Sequence, residues 1–210
     1  MTLRNGLKPA LAALLIAAGL IAAGASAHAE TIIHKSVTYF SIGGNTASDL
    51  DREMTRRGPF SHNTGRRHPG ATRIRFNGTA TFAARKGRCV IGGAKVSLST
   101  KLVLPRWTNR KRASREMALL WDTLSADIKR HEERHAEIAR THVRQLEKDI
   151  LGLSSSGDCA TLKARVDRLS QKAMLAHDKD QQRFDRIESA NFENRMIRLL
   201  KYRISRKTGQ

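Results

Sequence analysis

Two histidines four residues apart, His131 and His135, bracket Glu132 in the stretch HEERH. On a helix a step of four residues returns to the same face about 6 Å further along the axis, so both imidazoles can reach one metal ion. Glu132 then projects about 100° away from His131, toward a water on that ion and not toward the ion itself. This is the offset that HExxH chemistry needs. Zinc acidifies a bound water, the carboxylate takes the proton, and a polarised carbonyl is attacked. The competing reading is a pair of core histidines bonded to backbone carbonyls.

Chemistry of this kind needs a long, uninterrupted helix, and the sequence supplies one. Between Ser114 and Leu151 there is no Gly or Pro. Leu124, Ile128, His131, His135, Ile138, His142 and Leu146 recur at helical spacing, which sets the histidines on a stripe that calls for burial. A polar ring placed there must find a partner, and a metal ion satisfies two rings at once. His142 shares the face but lies about 16 Å from His131 along the axis, too far for a common coordination sphere, and reads as a packing residue. After the break SSSGDC a second helix is expected from about Ala160 to beyond Leu200, with Leu162, Val166, Leu169, Ala173, Phe184 and Ile187 as its apolar stripe. The short connection predicts that the two helices pack antiparallel.

The part before the helices is strand-rich. TIIHKSVTYFSI alternates in hydropathy, Thr46 and Asp49 have the spacing of a capping box ahead of a short helix, and that helix ends at Gly58-Pro59. A loop with His62 and His68 follows. TRIRFNGTATF, RCVIGG and KVSLSTKLVL read as three further strands, broken by Gly78, Gly87 and Gly92-Gly93 and ended by Pro105. The expected fold is α+β: a small antiparallel sheet over residues 30–105, then two long helices over 114–205, in one domain with no internal repeat.

Residues 1–29 read as an export signal. A basic start with Arg4 and Lys8 precedes the apolar stretch ALAALLIAAGLIAAG, and small residues at Ala27 and Ala29 offer a cleavage site; the alternative is an uncleaved anchor. The mature chain is then expected from Glu30, periplasmic or secreted. The formal charge is +20, of which Arg4 and Lys8 contribute two. Export turns this charge away from nucleic acid and toward solubility, anionic envelope polymers or lipids, or acidic substrates. Aromatics make up 5% of the residues, and no RNA-recognition motif or zinc-finger spacing is present, so no nucleic-acid partner is expected. Cys89 and Cys159 are the two cysteines. In an exported protein such a pair forms a disulfide, here closing a long loop worth roughly 4 kcal/mol by chain entropy; two free thiols are the alternative.

YFSIGGNTASDL, the Gly-Pro after the short helix, the RCV strand, LPRW, HEERH, the cysteine at 159 and HDKDQQRFD together resemble a bacterial family of predicted secreted zinc-dependent proteases, known mainly as a domain of unknown function. The resemblance covers most of the mature chain. It implies a metallopeptidase-like fold, zinc on His131 and His135, Glu132 as base, and a Cys89–Cys159 bridge. One departure stands out. Relatives are expected to carry Tyr-Asp, then Thr, then His-Gly on the last helix; Phe184-Asp185 matches, but the His and Gly positions hold Ala190 and Asn191. A third zinc ligand must then come from Glu188, His177, Asp180 or a loop histidine, His62 or His68, or else the site is lost. The leading expectation is an exported zinc-dependent hydrolase acting on protein or peptide. The alternative is a catalytically silent, strongly basic envelope- or partner-binding module that keeps the fold.

Overall fold

The computed structural model describes residues 28–62 and 64–208. The expected export segment lies outside the described residues except for the backbone of His28 and Ala29, which opens the first strand. In chain order the elements are β1 (His28–Ile42), α1 (Ala47–Arg57), β2 (Phe60–Ser61), β3 (Arg66–Arg67), β4 (Ala71–Arg85), β5 (Arg88–Trp107), α2 (Arg115–Leu151), α3 (Cys159–Ala190) and α4 (Phe192–Thr208). The class is α+β, with a small sheet first and helices after it.

The sheet differs from expectation in its pairing. Its order is β1-β5-β4: β4 and β5 form an antiparallel hairpin, but β1 runs parallel to β5, from His28 beside Gly93 to Ile42 beside Trp107. A parallel neighbour needs a long crossover, and here α1, the β2–β3 ribbon and β4 supply it. Three expected strands are in fact two. Gly78 passes unbroken through β4, and Gly92 is the extra residue of a bulge, because Thr81 pairs with Gly93 and Phe82 with Ile91. Pro105 also lies inside β5, where β5 pairs with Phe40 of β1 but has already run past the start of β4 at Val103. A proline is tolerated where the strand has a single neighbour.

Capping fixes the helix starts. Thr46 Oγ1 accepts from the Asp49 backbone N–H and Asp49 Oδ2 accepts from the Thr46 backbone N–H, each at 3.1 Å, the reciprocal box legible in the sequence. These bonds, with the amide of Asn45 foremost, hold the Asp49 carboxyl down at about 2. Ser114 and Asp158 cap α2 and α3 by accepting from the backbone N–H of Met117 and Thr161, without the return bond. The second long helix is not continuous to Leu200: it ends at Ala190, and Asn191 turns the chain into α4.

α2 lies across the sheet. Trp107, Trp121, Leu102, Leu104 and Ile128 form one apolar cluster with Leu50 and Met54 of α1; Val96, Leu98, Val143, Leu146, Ile150 and Val166 form the other. Each fully buried Leu, Ile or Val adds roughly 1.5–3 kcal/mol of transfer free energy. α3 runs antiparallel beside α2: His142 meets Asp180, His135 meets Gln181, Arg130 meets Glu188, and Asp127 meets Arg195 of α4. A disulfide joins Cys89, at the start of β5, to Cys159, the first residue of α3, across 70 residues. Backbone bonds between Cys89 and Ser156, 2.8 and 2.9 Å, clip the same loop to the sheet. The start of α3 is thus tied to a strand, and that tie sets which α3 residues face HEERH.

Candidate metal centre

The buried stripe of α2 is Ile128, Glu132, Ala136, Ala139, Val143, Leu146 and Ile150. This shifts the stripe read from the sequence by one position around the helix. Small alanines at 136 and 139 let the helix approach the sheet closely, and it is Glu132, 5% exposed, that points inward. His131 and His135 sit at the flank, with side chains 27% and 14% exposed, and face α3.

Their Nε2 atoms lie 3.0 Å apart. Asp185 Oδ1 from α3 is 3.3 Å from His131 Nε2 and 3.0 Å from His135 Nε2. Three electron-pair donors meeting this closely need a cation or a shared proton among them. For zinc bonds of 2.0–2.1 Å in tetrahedral geometry, donors stand about 3.3 Å apart, so the spacing fits such an ion. Among the described residues this is the group whose ligand atoms converge well enough to hold a metal.

The hydrogen-bond network decides which nitrogens are available. Gln181 Nε2 donates to the His135 carbonyl at 3.1 Å, so its other amide atom is the oxygen, and His135 Nδ1–H donates to it. That leaves the His135 Nε2 lone pair aimed at Asp185, an arrangement in which an outer partner orients a metal-ligating ring. Phe184 stacks on His131 at 4.9 Å and meets the edge of His135 at 5.1 Å, so the residue beside Asp185 also holds both rings. Burial opposes the charge on Asp185, yet the bonds from His131 and His135 outweigh it and keep its carboxyl well below the usual range. Burial also opposes a charged His135 ring, and Asp185 and Gln181 again prevail and raise its basicity.

Glu132 occupies the next wall. Thr72 Oγ1 of β4 lies 2.8 Å from both its backbone oxygen and its Oε2. Burial raises the affinity of this carboxyl for a proton, with Thr72 and the two histidines opposing it. Gly70 is needed beside it: a Cβ there would lie 2.8 Å from Oε1 and 2.9 Å from Ile128 Cγ2. A cleft of about 370 Å³ opens onto His131, Glu132 and Gly70, closed by Pro69, Ile128 and Phe192. Asp127, Arg130, Glu188 and Arg195 cross-link its far side, with Arg195 Nε 2.9 Å from Asp127.

The candidates weighed for a third ligand fall elsewhere. Glu188 pairs with Arg130 and stands 3.8 Å from His131 Nδ1, on the far side of the ring. Asp180 accepts from His142 at 2.9 Å. His177 is buried against Phe76, and burial lowers its basicity. His62 packs on Phe60. His68 bonds Thr64 at 2.6 Å and lines the cleft. Ala190, at the family's expected histidine position, is the exposed last residue of α3. Asp185 was missed as a ligand although its Phe184-Asp185 pair already carried the resemblance. Gln181 and Gly70 carried no signal in the sequence, since each acts through a neighbour far along the chain. The paired cysteines do form the disulfide.

No curated protein and no solved structure matches the chain. Residues 37–192 match the model of a family described as a bacterial protein of unknown function (DUF922), and the chain belongs to that family.

Proposed function

We propose that this protein is an exported, zinc-dependent hydrolase, a peptidase acting on protein or peptide outside the cytoplasm. The observation that carries the proposal is the convergence of His131 Nε2, His135 Nε2 and Asp185 Oδ1, within 3.0–3.3 Å of one another, beside a cleft that His131 and Glu132 line. Two imidazoles and one carboxylate suit zinc, with a fourth position left for chemistry. When bound, the ion supplies Lewis acidity toward a carbonyl and toward water.

The remaining work belongs to side chains. His131, His135 and Asp185 hold the ion, and Gln181 and Phe184 keep the rings from turning. Glu132 takes a proton from water in the cleft; its burial makes it a stronger base than an exposed glutamate, which moves it toward the range a general base needs. Thr72 fixes Oε2, so the carboxylate stays aimed. Pro69, Ile128 and Phe192 offer apolar surface to a substrate side chain. The Asp127–Arg195 and Arg130–Glu188 pairs hold the opposite wall rigid.

Elemental analysis of the purified protein beside Glu132→Gln, with turnover of a mixed peptide library, tests the proposal. The expected result is about one zinc per chain in both, with hydrolysis by the wild type alone. Metal-free protein whose folding is untouched by chelator would sink it and leave a basic binding module.

A further inference from the structure

Charge is spread unevenly along this chain. Residues 54–115 carry sixteen Lys and Arg and no Asp or Glu, whereas residues 116–210 carry nineteen basic and fifteen acidic residues. The excess therefore resides in the part that contains β2 to β5. One face of the sheet is covered by α2: Val96, Leu98 and Leu102 are buried there, and Thr72 and Lys35 reach Glu132 and Glu133. Side chains alternate along a strand, so Arg73, Arg75 and Lys101 stand on the opposite face, where all three are exposed.

The register gathers them. Arg73 pairs directly with Lys101, and Arg75 with Ser99, whose other neighbour is His34 of β1. Strand spacing and rise put the three cationic Cα atoms within about 8 Å of one another. Like charges directly opposite across strands destabilise a sheet. Between the cations lie Ser36, Ser97, Ser99, Asn77 and Thr79, which offer hydrogen bonds but no negative charge. Among the described residues none of the three cations makes an ion pair. A face that retains this repulsion and presents exposed cations and small polar groups, with Ile32 and Val103 half-buried between them, is suited to anionic oxygens.

We propose that this uncovered sheet face docks the protein on an anionic lipid bilayer. Cations gathered on neighbouring strands let several lipid phosphates meet them at once, and juxtaposed Lys and Arg gain from the negative surface potential. His34 is the one ring among the exposed outward positions named here, with no series of aromatic side chains to stack successive nucleobases, which disfavours a single-stranded nucleic acid. The HEERH cleft lies on the other side of the sheet, so docking leaves it open, and the inference stands whether or not the hydrolase reading does.

Co-sedimentation with phosphatidylcholine vesicles, with and without phosphatidylglycerol, tests this on the full chain. The triple Arg73→Ser, Arg75→Ser, Lys101→Ser is compared with Arg140→Ser, Arg144→Ser, Lys148→Ser on α2, which removes the same charge and leaves the apolar stretch in place. Phosphatidylglycerol is expected to strengthen binding, and that gain should reverse with salt. The sheet triple should remove that gain, weakening binding up to about 150-fold at roughly 1 kcal/mol per cation, and the α2 triple, away from the bilayer, less than about threefold. Arg73→Lys with Arg75→Lys should retain it, which separates charge from misfolding. Equal losses in the two triples would overturn the proposal, as would binding to heparin with none to vesicles.

Discussion

The α2–α3 hairpin carries two imidazole pairs, and only one of them can receive an ion. His131 and His135 bring Nε2 atoms to 3.0 Å with Asp185 Oδ1 closing the triangle. About 14 Å further along α2, His142 and His177 also meet, with ring centroids 5.6 Å apart and Asp178 and Asp180 at hand. There every ring is already engaged by its own neighbour. His142 Nε2 is 2.9 Å from Asp180, His177 Nδ1 is 3.0 Å from Asp178, and Gln181 Nε2 donates to His177 Nε2 at 2.8 Å. The two pairs share residue types; they differ in whether lone pairs converge unsatisfied. Gln181 stands between them, its oxygen fixing His135 and its nitrogen occupying His177. A count of histidines and carboxylates would not have told the pairs apart.

The sharpest way to break the contrast is to exchange the carboxylates. Asp185→Asn should lower zinc affinity by more than the 10–100-fold typical of outer-partner mutations, measured by competition with a chromophoric chelator. Asp180→Asn should leave it within about twofold on that scale; equal effects would erase the distinction. A smaller effect is expected from Gln181→Ala, about 10- to 100-fold in zinc affinity, because His135 loses the partner that selects its tautomer while keeping its position on the helix. Unchanged affinity there would mean that Phe184 alone orients the ring.

The smallest effect concerns the His142–His177 pair. Burial depresses the His177 pKa below its ordinary 6.5. The unfolded chain therefore takes up a proton first as pH falls, so this group's stabilisation is full above about 6.5 and is lost as pH drops through the folded value. His177→Gln should flatten the fall in urea midpoint between pH 7.5 and 5.5. An equally steep fall in both proteins would assign the pH dependence to other groups.

Legibility followed the range of the interaction. The Thr46–Asp49 box, the uninterrupted α2 and the four-residue spacing of His131 and His135 are local, and a helix repeats every 3.6 residues whatever surrounds it. Glycines misled where they seemed to punctuate: Gly78 sits within a paired strand and Gly92 makes a bulge, because tertiary pairing overrides the weak preference of glycine against strands. The direction of β1 was not legible either, since alternation looks the same for a parallel and an antiparallel neighbour.

By itself the chain determined its class, the helices α1 and α2, the one possible cysteine pairing and two of the three converging donors, all set by spacing along a single element or by there being no other choice. Only the tertiary structure decided that Asp185 joins them, that Gln181 selects the His135 tautomer and that Gly70 makes room for Glu132. Each of these depends on how one element slides past another. That sliding is settled by the clip of Cys159 and Ser156 to Cys89 and by the packing of α2 on the sheet, neither of which leaves a periodic trace in the sequence.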